Sequence, residues 1–273
     1  LESGSSGYHI IHHFSNSSDN FSGVYLPCSS RYVEYCMRTK SDIRESIWNC
    51  LEQSGVVHGD NVHDKIPDFY GSLEAAQRVF GLDIWKRAST IKSNPDKAQQ
   101  PLRQKALEDG KLLYMAVPRL KDERCFVELN PTDLKSTPAQ ASTISGAFKA
   151  GRLVYVEDMS QVDLVVSGSV AVNRLGIRIG KGGGFADLEY GLAVEAGVVE
   201  SNTPVITTVH SLQVLDEELP RSPHDVPIDY IFTPAETMRC PGELPHPIGI
   251  YWEDLDDEKI SEIPVLQMLK RRR

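Results

Sequence analysis

The feature that most constrains this chain is a glycine-rich segment between an apolar run and a helical pattern. Arg178-Ile-Gly-Lys-Gly-Gly-Gly-Phe-Ala-Asp187 holds four glycines in ten residues, and the β-branched run 162–172 precedes it. Apolar residues then recur at three- and four-residue intervals, which is typical of a helix. A strand, a glycine loop and a helix can together hold a phosphate on backbone N–H groups. The segment predicts a nucleotide site in which Lys181 supplies positive charge and Asp187 a carboxylate for the metal ion.

The spacing of the glycines excludes two familiar nucleotide motifs. A G-x-G-x-x-G motif counted from Gly180 would need its third glycine at Phe185, and counted from Gly182 it would need one at Asp187. A Walker loop fails because Gly-Lys-Ser/Thr does not occur in the sequence. A plain turn is the remaining alternative. Three consecutive glycines cost roughly 1 kcal/mol each in conformational freedom, which favours a bound ligand.

Composition limits the partners of the chain. The net charge of −9 and the pI of about 5.4 argue against nucleic acid, and the basic end 270–273 is interpreted as a solvated helix terminus. No apolar run is long enough to span a membrane. Five scattered cysteines without C-x-x-C are typical of free thiols in a reducing compartment. We expect a monomer that binds a small molecule, with neither a nucleic-acid nor a membrane partner.

The first 39 residues differ from the rest of the chain. The first 40 hold nine serines and only three acidic residues, without a clear period, and we expect 1–39 to be disordered. They could be a remnant of an organelle transit peptide, vector-derived sequence, or upstream translated sequence before a start at Met37. A transit remnant predicts the chloroplast, and the other origins predict the cytoplasm. We divide the remainder into a domain at 40–252 and a C-terminal helix with a basic tail at 253–273.

Strands and helices alternate along this domain. Helices are predicted at 41–54, 72–80, 101–108, 185–197 and 256–269, the last with a kink at Pro264. Strands are predicted at 111–117, 163–167, 204–209 and 228–232, and 120–150 is interpreted as a long loop or a short subdomain. The pattern indicates an α/β fold with three layers, a mostly parallel Rossmann-like sheet covered by helices on both faces.

Five segments in order resemble the 5-formyltetrahydrofolate cyclo-ligase family, also called methenyltetrahydrofolate synthetases. The glycine segment is similar to the family's R-L-G-x-G-x-G-Y-Y-D signature. The others are Lys40-x-x-x-Arg44, the strand from Gly110-Lys111 to Pro118-Arg119, Asp163-Leu-Val-Val, and His224-Asp225-Val-Pro-Ile-Asp229 with Thr233-Pro234. The group called methenyltetrahydrofolate-synthetase-domain-containing, with its plant cyclo-ligase-like relatives, further shares Asn94–Lys97, Ala186–Tyr190 and Gly249–Trp252.

The resemblance implies a reaction and its residues. The family closes 5-formyltetrahydrofolate to 5,10-methenyltetrahydrofolate with ATP and Mg²⁺, by phosphorylation of the formyl oxygen, attack of folate N10 and loss of phosphate. It implies that Lys40, Arg44 and Lys181 serve catalysis and hold phosphates. The remaining nucleotide-binding residues it implies are Arg178, Gly180, Gly182, Gly183, Gly184 and Phe185, and the magnesium ligands are Asp187 and Asp225.

Four departures from the family pattern concern the folate half of the site. Ala186 replaces a tyrosine, Leu188 replaces a polar residue, and Ser167-Gly168-Ser169 replaces a Pro-Gly turn. Lys97 stands where the cyclo-ligases carry an acidic residue that binds the pterin, and lysine can donate but not accept. Two functions stay open: a folate ligase, or a catalytically altered relative that binds nucleotide and has another role in folate or related cofactor metabolism.

Overall fold

The strands form two sheets in the computed structural model, which describes residues 38–59 and 61–273. In chain order they are β1 (Thr90–Ser93), β2 (Leu112–Ala116), β3 (Phe126–Leu129), β4 (Arg152–Val154), β5 (Leu164–Val166), β6 (Ala171–Asn173), β7 (Arg178–Ile179), β8 (Val205–Thr208), β9 (Val214–Leu215), β10 (Tyr230–Phe232) and β11 (Thr237–Arg239). The larger sheet has the order β11-β10-β8-β5-β1-β2-β3-β4, and its strands from β10 to β2 are parallel. The strands at its edges are antiparallel, and β7-β6-β9 form the smaller sheet.

The helices alternate with these strands along the chain. They are α1 (Lys40–Gln53), α2 (Ser72–Phe80), α3 (Asp83–Arg87), α4 (Gln100–Glu108), α5 (Pro138–Ala141), α6 (Ile144–Ala150), α7 (Phe185–Glu195), α8 (Asp257–Glu262) and α9 (Pro264–Arg272). Helix α1 begins one residue before the predicted start at 41, because the side chain of Thr39 caps it and Asp42 bonds back to the Thr39 backbone.

Two apolar cores on opposite faces of the large sheet confirm the predicted three-layer α/β fold. Along β5, Leu164 and Val166 belong to the core formed with α2 and α4, whereas Val165 belongs to the core formed with α7. Successive side chains of a strand point to opposite faces, so β5 is buried on both sides. This double burial explains why its sequence is apolar without a break.

A third core holds α1 against the small sheet. Ile43, Ile47 and Leu51 of α1 pack with Val170 to Ala171 and with Ile179 at the end of β7. Because β7 leads directly into the glycine segment, α1 is fixed beside that segment. This packing places the N-terminal half of α1 at the site described below.

The structure differs from the sequence-based expectations in three places. The apolar run 162–172 contains two strands, β5 and β6, which lie in different sheets. The polar region 120–150 is neither a bare loop nor a separate subdomain, since β3 belongs to the large sheet and α5 and α6 pack on it. The C-terminal helix is divided rather than kinked: α8 ends before Ile263, whose extended backbone suits the residue before Pro264.

The C-terminal segment shares a core with the rest of the domain. Ile260, Ile263 and Leu266 pack in the same cluster as Leu188 and Leu192 of α7. Within the described part of the chain, no helix combines the length and apolar character that a membrane crossing requires. The structure does not describe residues 1–37. The expected disorder of 1–39 and the expected compartment depend mainly on these residues and stay predictions.

Candidate functional site

A cavity of about 760 Å³ lies where the parallel strands β1, β2 and β5 end. Ligands of α/β sheets collect at this edge of the sheet. Seven of the predicted site residues line the cavity, namely Arg178, Gly180, Lys181, Gly183, Gly184, Phe185 and Asp187. The other four predicted residues, Lys40, Arg44, Gly182 and Asp225, do not line it. Of these, Arg44 donates to the carbonyl of Gly180, which does line it, and Lys40 and Asp225 form an ion pair with each other.

The glycine segment is held open by left-handed backbone conformations. Gly182 has φ of 107° and Gly184 has φ of 66°, and residues other than glycine adopt such values only with strain. Among the described residues, the backbone N–H groups of residues 181–187 find no hydrogen-bond acceptor. The last three of these belong to the first turn of α7, where the helix dipole is positive. The segment therefore presents a row of donors to an anion.

Two ion pairs stand beside this row. The guanidinium of Arg178 donates to Asp187, and the ammonium of Lys40 donates to Asp225. Asp187 also accepts a 3.0 Å hydrogen bond from the N–H of Val226, so the two pairs are neighbours. Although burial acts to raise it, the pKa of Asp187 is lowered by the positive charge of Arg178 and by the hydrogen bond from Val226. Asp187 is therefore ionised at neutral pH.

Arg44 supports the glycine segment from outside the cavity. Its Nε donates a 2.7 Å hydrogen bond to the carbonyl of Gly180, and a Cβ added at Gly182 would lie 3.5 Å from its guanidinium carbon. Burial lowers the pKa of Arg44, and the charge of Asp225 opposes this change. Arg44 is thus brought to the predicted loop, where it contacts a carbonyl.

A buried ion pair, of which Glu189 lines the cavity, was not predicted from the sequence. Lys92 of β1 and Asn94 each donate a 2.6 Å hydrogen bond to Oε2 of Glu189 on α7. Lys92 and Glu189 are 1% and 4% exposed, and burial raises the pKa of Glu189 against the effect of Lys92. The segment 90–93 has one apolar residue and gives no signal, so the available signal was an acidic residue on the apolar side of α7.

Asp96, rather than Lys97, faces the cavity. Asp96 lines it and accepts a 3.2 Å hydrogen bond from Lys181. Lys97 is exposed, begins a short 3-10 helix and lines a separate groove beside α2 and α4. The interpretation of Lys97 as a reversed charge in the substrate pocket is therefore wrong for this chain, because adjacent residues at the helix start point to different surfaces.

The other departures from the family pattern have different positions. Ala186 lines the cavity, so the ring that the family signature carries there is absent from its wall. Leu188 is buried in the core, where a polar side chain would be costly. Ser169 is also buried, and its hydroxyl shares a 2.9 Å hydrogen bond with Thr207. Ala186 and Gly168, the middle residue of Ser167-Gly168-Ser169, are therefore the departures that reach the surface a ligand would meet.

The residues present fit a nucleotide with a magnesium ion. Arg178 lines the cavity, and its buried Nε has no partner among the described residues, which leaves a donor for an anion. No cluster of three or more His, Cys, Asp or Glu in the described ranges could hold a metal by itself. Mg²⁺ does not need one, because one or two carboxylates with phosphate oxygens and water satisfy it. Asp187 and Asp225 supply such carboxylates; their role as ligands stays a prediction.

Comparison with known proteins identifies the family. A sequence model of the 5-formyltetrahydrofolate cyclo-ligase family matches residues 36–234. Methenyltetrahydrofolate synthase domain-containing proteins of Homo sapiens and Danio rerio are 38% and 39% identical over 239 and 237 residues, which are 86% and 85% of this chain. The chain spans 62% of the length of each of these relatives.

Two more distant similarities are to a cyclo-ligase and to a methenyltetrahydrofolate synthetase. A 5-formyltetrahydrofolate cyclo-ligase of Mycolicibacterium smegmatis is 33% identical over 78 residues, 29% of this chain and 37% of its own. An NMR structure of Aquifex aeolicus 5,10-methenyltetrahydrofolate synthetase has a TM-score of 0.48 and 20% identity, and the match covers 74% of this chain and 93% of that one. Because the family match extends over most of the described domain, this chain belongs to the 5-formyltetrahydrofolate cyclo-ligase family.

Proposed function

We propose that this protein binds ATP with Mg²⁺ at the glycine segment 180–184 and closes 5-formyltetrahydrofolate to 5,10-methenyltetrahydrofolate. The observation that carries the proposal is the row of unpartnered N–H groups at 181–187, beside Arg178 and Lys181. Fixed donors of this kind stabilise the charge of phosphates without reorganisation during reaction. Family membership supports a folate-related, ligase-like role, and the specific reaction is our proposal.

The cationic side chains would orient the phosphates. Lys181 is exposed on the loop and, within residues 38–59 and 61–273, its ammonium group pairs with Asp96 alone, so it can turn toward a phosphate. Arg178 lines the cavity, and its buried Nε has no partner among the described residues. Phosphoryl transfer depends mainly on positioning and on charge stabilisation, which these groups provide. The γ-phosphoryl group would pass to the formyl oxygen with ADP as the leaving group. N10 would then attack the activated carbon and lose its proton, and the C–O bond would break to release phosphate.

The two carboxylates would hold the metal ion. Magnesium supplies charge neutralisation between phosphate oxygens when it is bound. In the structure Asp225 is neutralised by Lys40 and accepts a 2.6 Å hydrogen bond from the N–H of Ser222. A phosphate that attracts Lys40 would release Asp225 for the ion. Lys40 would therefore contact the nucleotide and uncover a metal ligand in one movement.

Glu189 would meet the folate ring system. The side chain of Glu189 lines the cavity. Its Oε2 accepts hydrogen bonds from Lys92 and Asn94, whereas its Oε1 has no partner among the described residues. A carboxylate oxygen accepts the N–H groups that a pterin ring presents. A cavity of about 760 Å³ falls within the range of small-molecule sites. Glu189 and Asp96 together would supply the acceptors at this end of the cavity.

The proposal is tested by the absorbance of the methenyl product. Purified protein with ATP, Mg²⁺ and 5-formyltetrahydrofolate should form it, and omission of ATP should prevent its formation. Gly184→Ala should also stop the reaction, since it strains the left-handed backbone of the loop. Failure of the wild-type protein to form product would overturn the cyclo-ligase assignment.

Ala186 favours a second candidate function. The cavity wall lacks an aromatic ring at this position, so a ligand other than 5-formyltetrahydrofolate can occupy the substrate side. The alternative is a relative that binds nucleotide and acts elsewhere in folate or related cofactor metabolism. Binding of ATP and Mg²⁺ measured by calorimetry, without methenyl product, is the result that selects this alternative.

A further inference from the structure

Lys259 reaches the glycine segment from the C-terminal part of the chain. It belongs to α8, which lies beyond the region 36–234 that matches the family. Its Nζ donates a 2.8 Å hydrogen bond to the carbonyl of Gly183 and lies 5.6 Å from the centre of the Phe185 ring. A Cβ added at Gly184 would be 3.1 Å from the same Nζ. The ammonium group is therefore packed directly against the loop.

This contact fixes the direction of a peptide plane. The described chain contains no cis peptide bond, so the carbonyl of Gly183 and the N–H of Gly184 point in opposite directions. Lys259 lines a small cleft on one side of Gly184, and the large cavity, which Lys259 does not line, is on another side. With its carbonyl held at Lys259, the peptide turns the Gly184 N–H away from the ammonium group.

Arg44 acts on the loop in the same way at its other end. Its Nε donates to the carbonyl of Gly180, which turns the N–H of Lys181 in the opposite direction. The two cations thus hold the first and fourth carbonyls of the segment 180–184. The N–H groups that follow these carbonyls are among those without an acceptor in the described residues.

We propose that Lys259 is a positioning residue that holds the Gly183–Gly184 peptide in the orientation required for phosphate binding. The inference rests on the proposed nucleotide site and adds a residue from outside the family match. The ammonium group is available for this role because, among the described residues, it contacts a carbonyl and an aromatic face rather than a carboxylate. Its positive charge next to the N-terminus of α7 also favours an anion there.

The position of Lys259 is itself well determined by packing. The next residue, Ile260, is buried in the core that contains α7, and Asp256 caps α8 by accepting from the Lys259 N–H at 2.6 Å. Helix α8 is therefore anchored at its start and along its apolar side. A lysine on such a helix loses less freedom on contacting the loop than one on a mobile tail would.

The test compares Lys259→Met with Lys259→Arg and with Lys270→Met as a matched control. Lys270 lies in the same C-terminal segment but is exposed, pairs with Asp257 at 3.1 Å, and lines neither the large cavity nor the small cleft. Calorimetry should show ATP with Mg²⁺ bound about tenfold more weakly by Lys259→Met, with partial recovery in Lys259→Arg and no change in Lys270→Met. Thermal unfolding of the variants checks that the fold is retained.

A second readout makes the contact measurable without nucleotide. The amide ¹⁵N resonance of Gly184 reports the hydrogen bond to the preceding carbonyl, so it should shift in Lys259→Met and stay in Lys270→Met. An unchanged Gly184 resonance overturns the proposal, whether or not the wild-type protein binds ATP. A shift accompanied by unchanged affinity in a wild-type protein that does bind ATP overturns it as well. Absence of ATP binding to the wild-type protein refutes the proposed function instead, and the Gly184 resonance then decides whether Lys259 holds the peptide.

Discussion

The carboxylate of Asp187 accepts a 3.0 Å hydrogen bond from the N–H of Val226, the residue that directly follows Asp225. This bond connects the first turn of α7 to the segment before β10, which are distant in sequence. It brings together two acids that are each neutralised by a cation, Arg178 for Asp187 and Lys40 for Asp225. The predicted metal ligands thus form one balanced charge cluster beside the glycine segment.

Asp187 should contribute to stability as well as to metal binding. Asp187→Asn leaves the buried charge of Arg178 without its ionic partner, which should lower the free energy of unfolding by about 3 kcal/mol. Denaturant unfolding at neutral pH measures this change. Asp83→Asn, which removes an exposed acid paired with Arg87, is the control and should change stability by less than about 0.5 kcal/mol. Equal stabilities for the two variants would contradict the structural role.

The same carboxylate predicts a pH dependence. The pKa of Asp187 in the folded protein is lowered below its value in the unfolded chain. Its stabilising contribution is therefore complete above the unfolded pKa of about 4 and is lost as the pH falls through the lower folded pKa. Unfolding measured between neutral and acidic pH should show a smaller loss of stability in Asp187→Asn than in the wild-type protein. Parallel curves for both proteins would argue against this linkage.

Gly182 should be required for the ligand as well as for the backbone. Gly182→Ala and Gly110→Ala both place a side chain at positive φ, which costs about 1 kcal/mol in each case. Gly110 has open space around it and is remote from the cavity, so it serves as the matched control. Calorimetry should show weaker binding of ATP with Mg²⁺ only in Gly182→Ala. A similar loss in both variants would mean that general strain, not the loop, controls binding.

Asp96 and Lys97 should differ in their effect on the site although they are adjacent. Asp96→Asn removes the charge that holds Lys181 and should change nucleotide affinity several-fold, because Lys181 becomes free to turn. Lys97→Glu alters an exposed side chain on another groove and should leave affinity unchanged. Titration of ATP into both variants checks this. A strong effect of Lys97→Glu on binding would refute the assignment of Asp96 as the cavity residue.

Variants of the buried pair Lys92–Glu189 should distinguish its effect on stability from its effect on folate binding. Glu189→Gln leaves Lys92 without a negative partner and should lower the free energy of unfolding by about 3 kcal/mol. The double variant with Lys92→Met and Glu189→Leu should regain much of this loss, since apolar replacements of a buried pair are often tolerated. Both the single and the double variant should bind 5-formyltetrahydrofolate more weakly than the wild-type protein does. Recovery of folate binding in the double variant would exclude Glu189 as its acceptor.

Sequence patterns predicted those parts of the fold in which local periodicity and burial agree. Helix α2 has the predicted bounds, and the buried strands β2, β5, β8 and β10 were recognised as apolar runs. Strand β1 was missed because its sequence, Thr90-Ile-Lys-Ser93, contains a single apolar residue, and only the contact with Glu189 on α7 explains a buried lysine there. Because its partner Glu189 is distant in sequence, the residues next to Lys92 do not reveal that it is buried in a strand.

The site shows the same division. The glycine spacing identified the loop, since positive φ at Gly182 and Gly184 is a local property. The orientation of Asp96 relative to Lys97 was misjudged, because it depends on where a short helix starts. Lys259 lies far from the loop in sequence and carries no local signal, and its role follows only from the packing of α8 on the core that includes α7.

The most direct test of the account is a calorimetric titration of ATP into the wild-type protein and Asp225→Asn, each with and without Mg²⁺. We predict that Mg²⁺ strengthens binding to the wild-type protein by at least tenfold and that Asp225→Asn, which leaves the glycine segment intact, loses most of this dependence. Absence of ATP binding, or an affinity that Mg²⁺ changes equally in both proteins, would contradict a nucleotide and metal site at this loop.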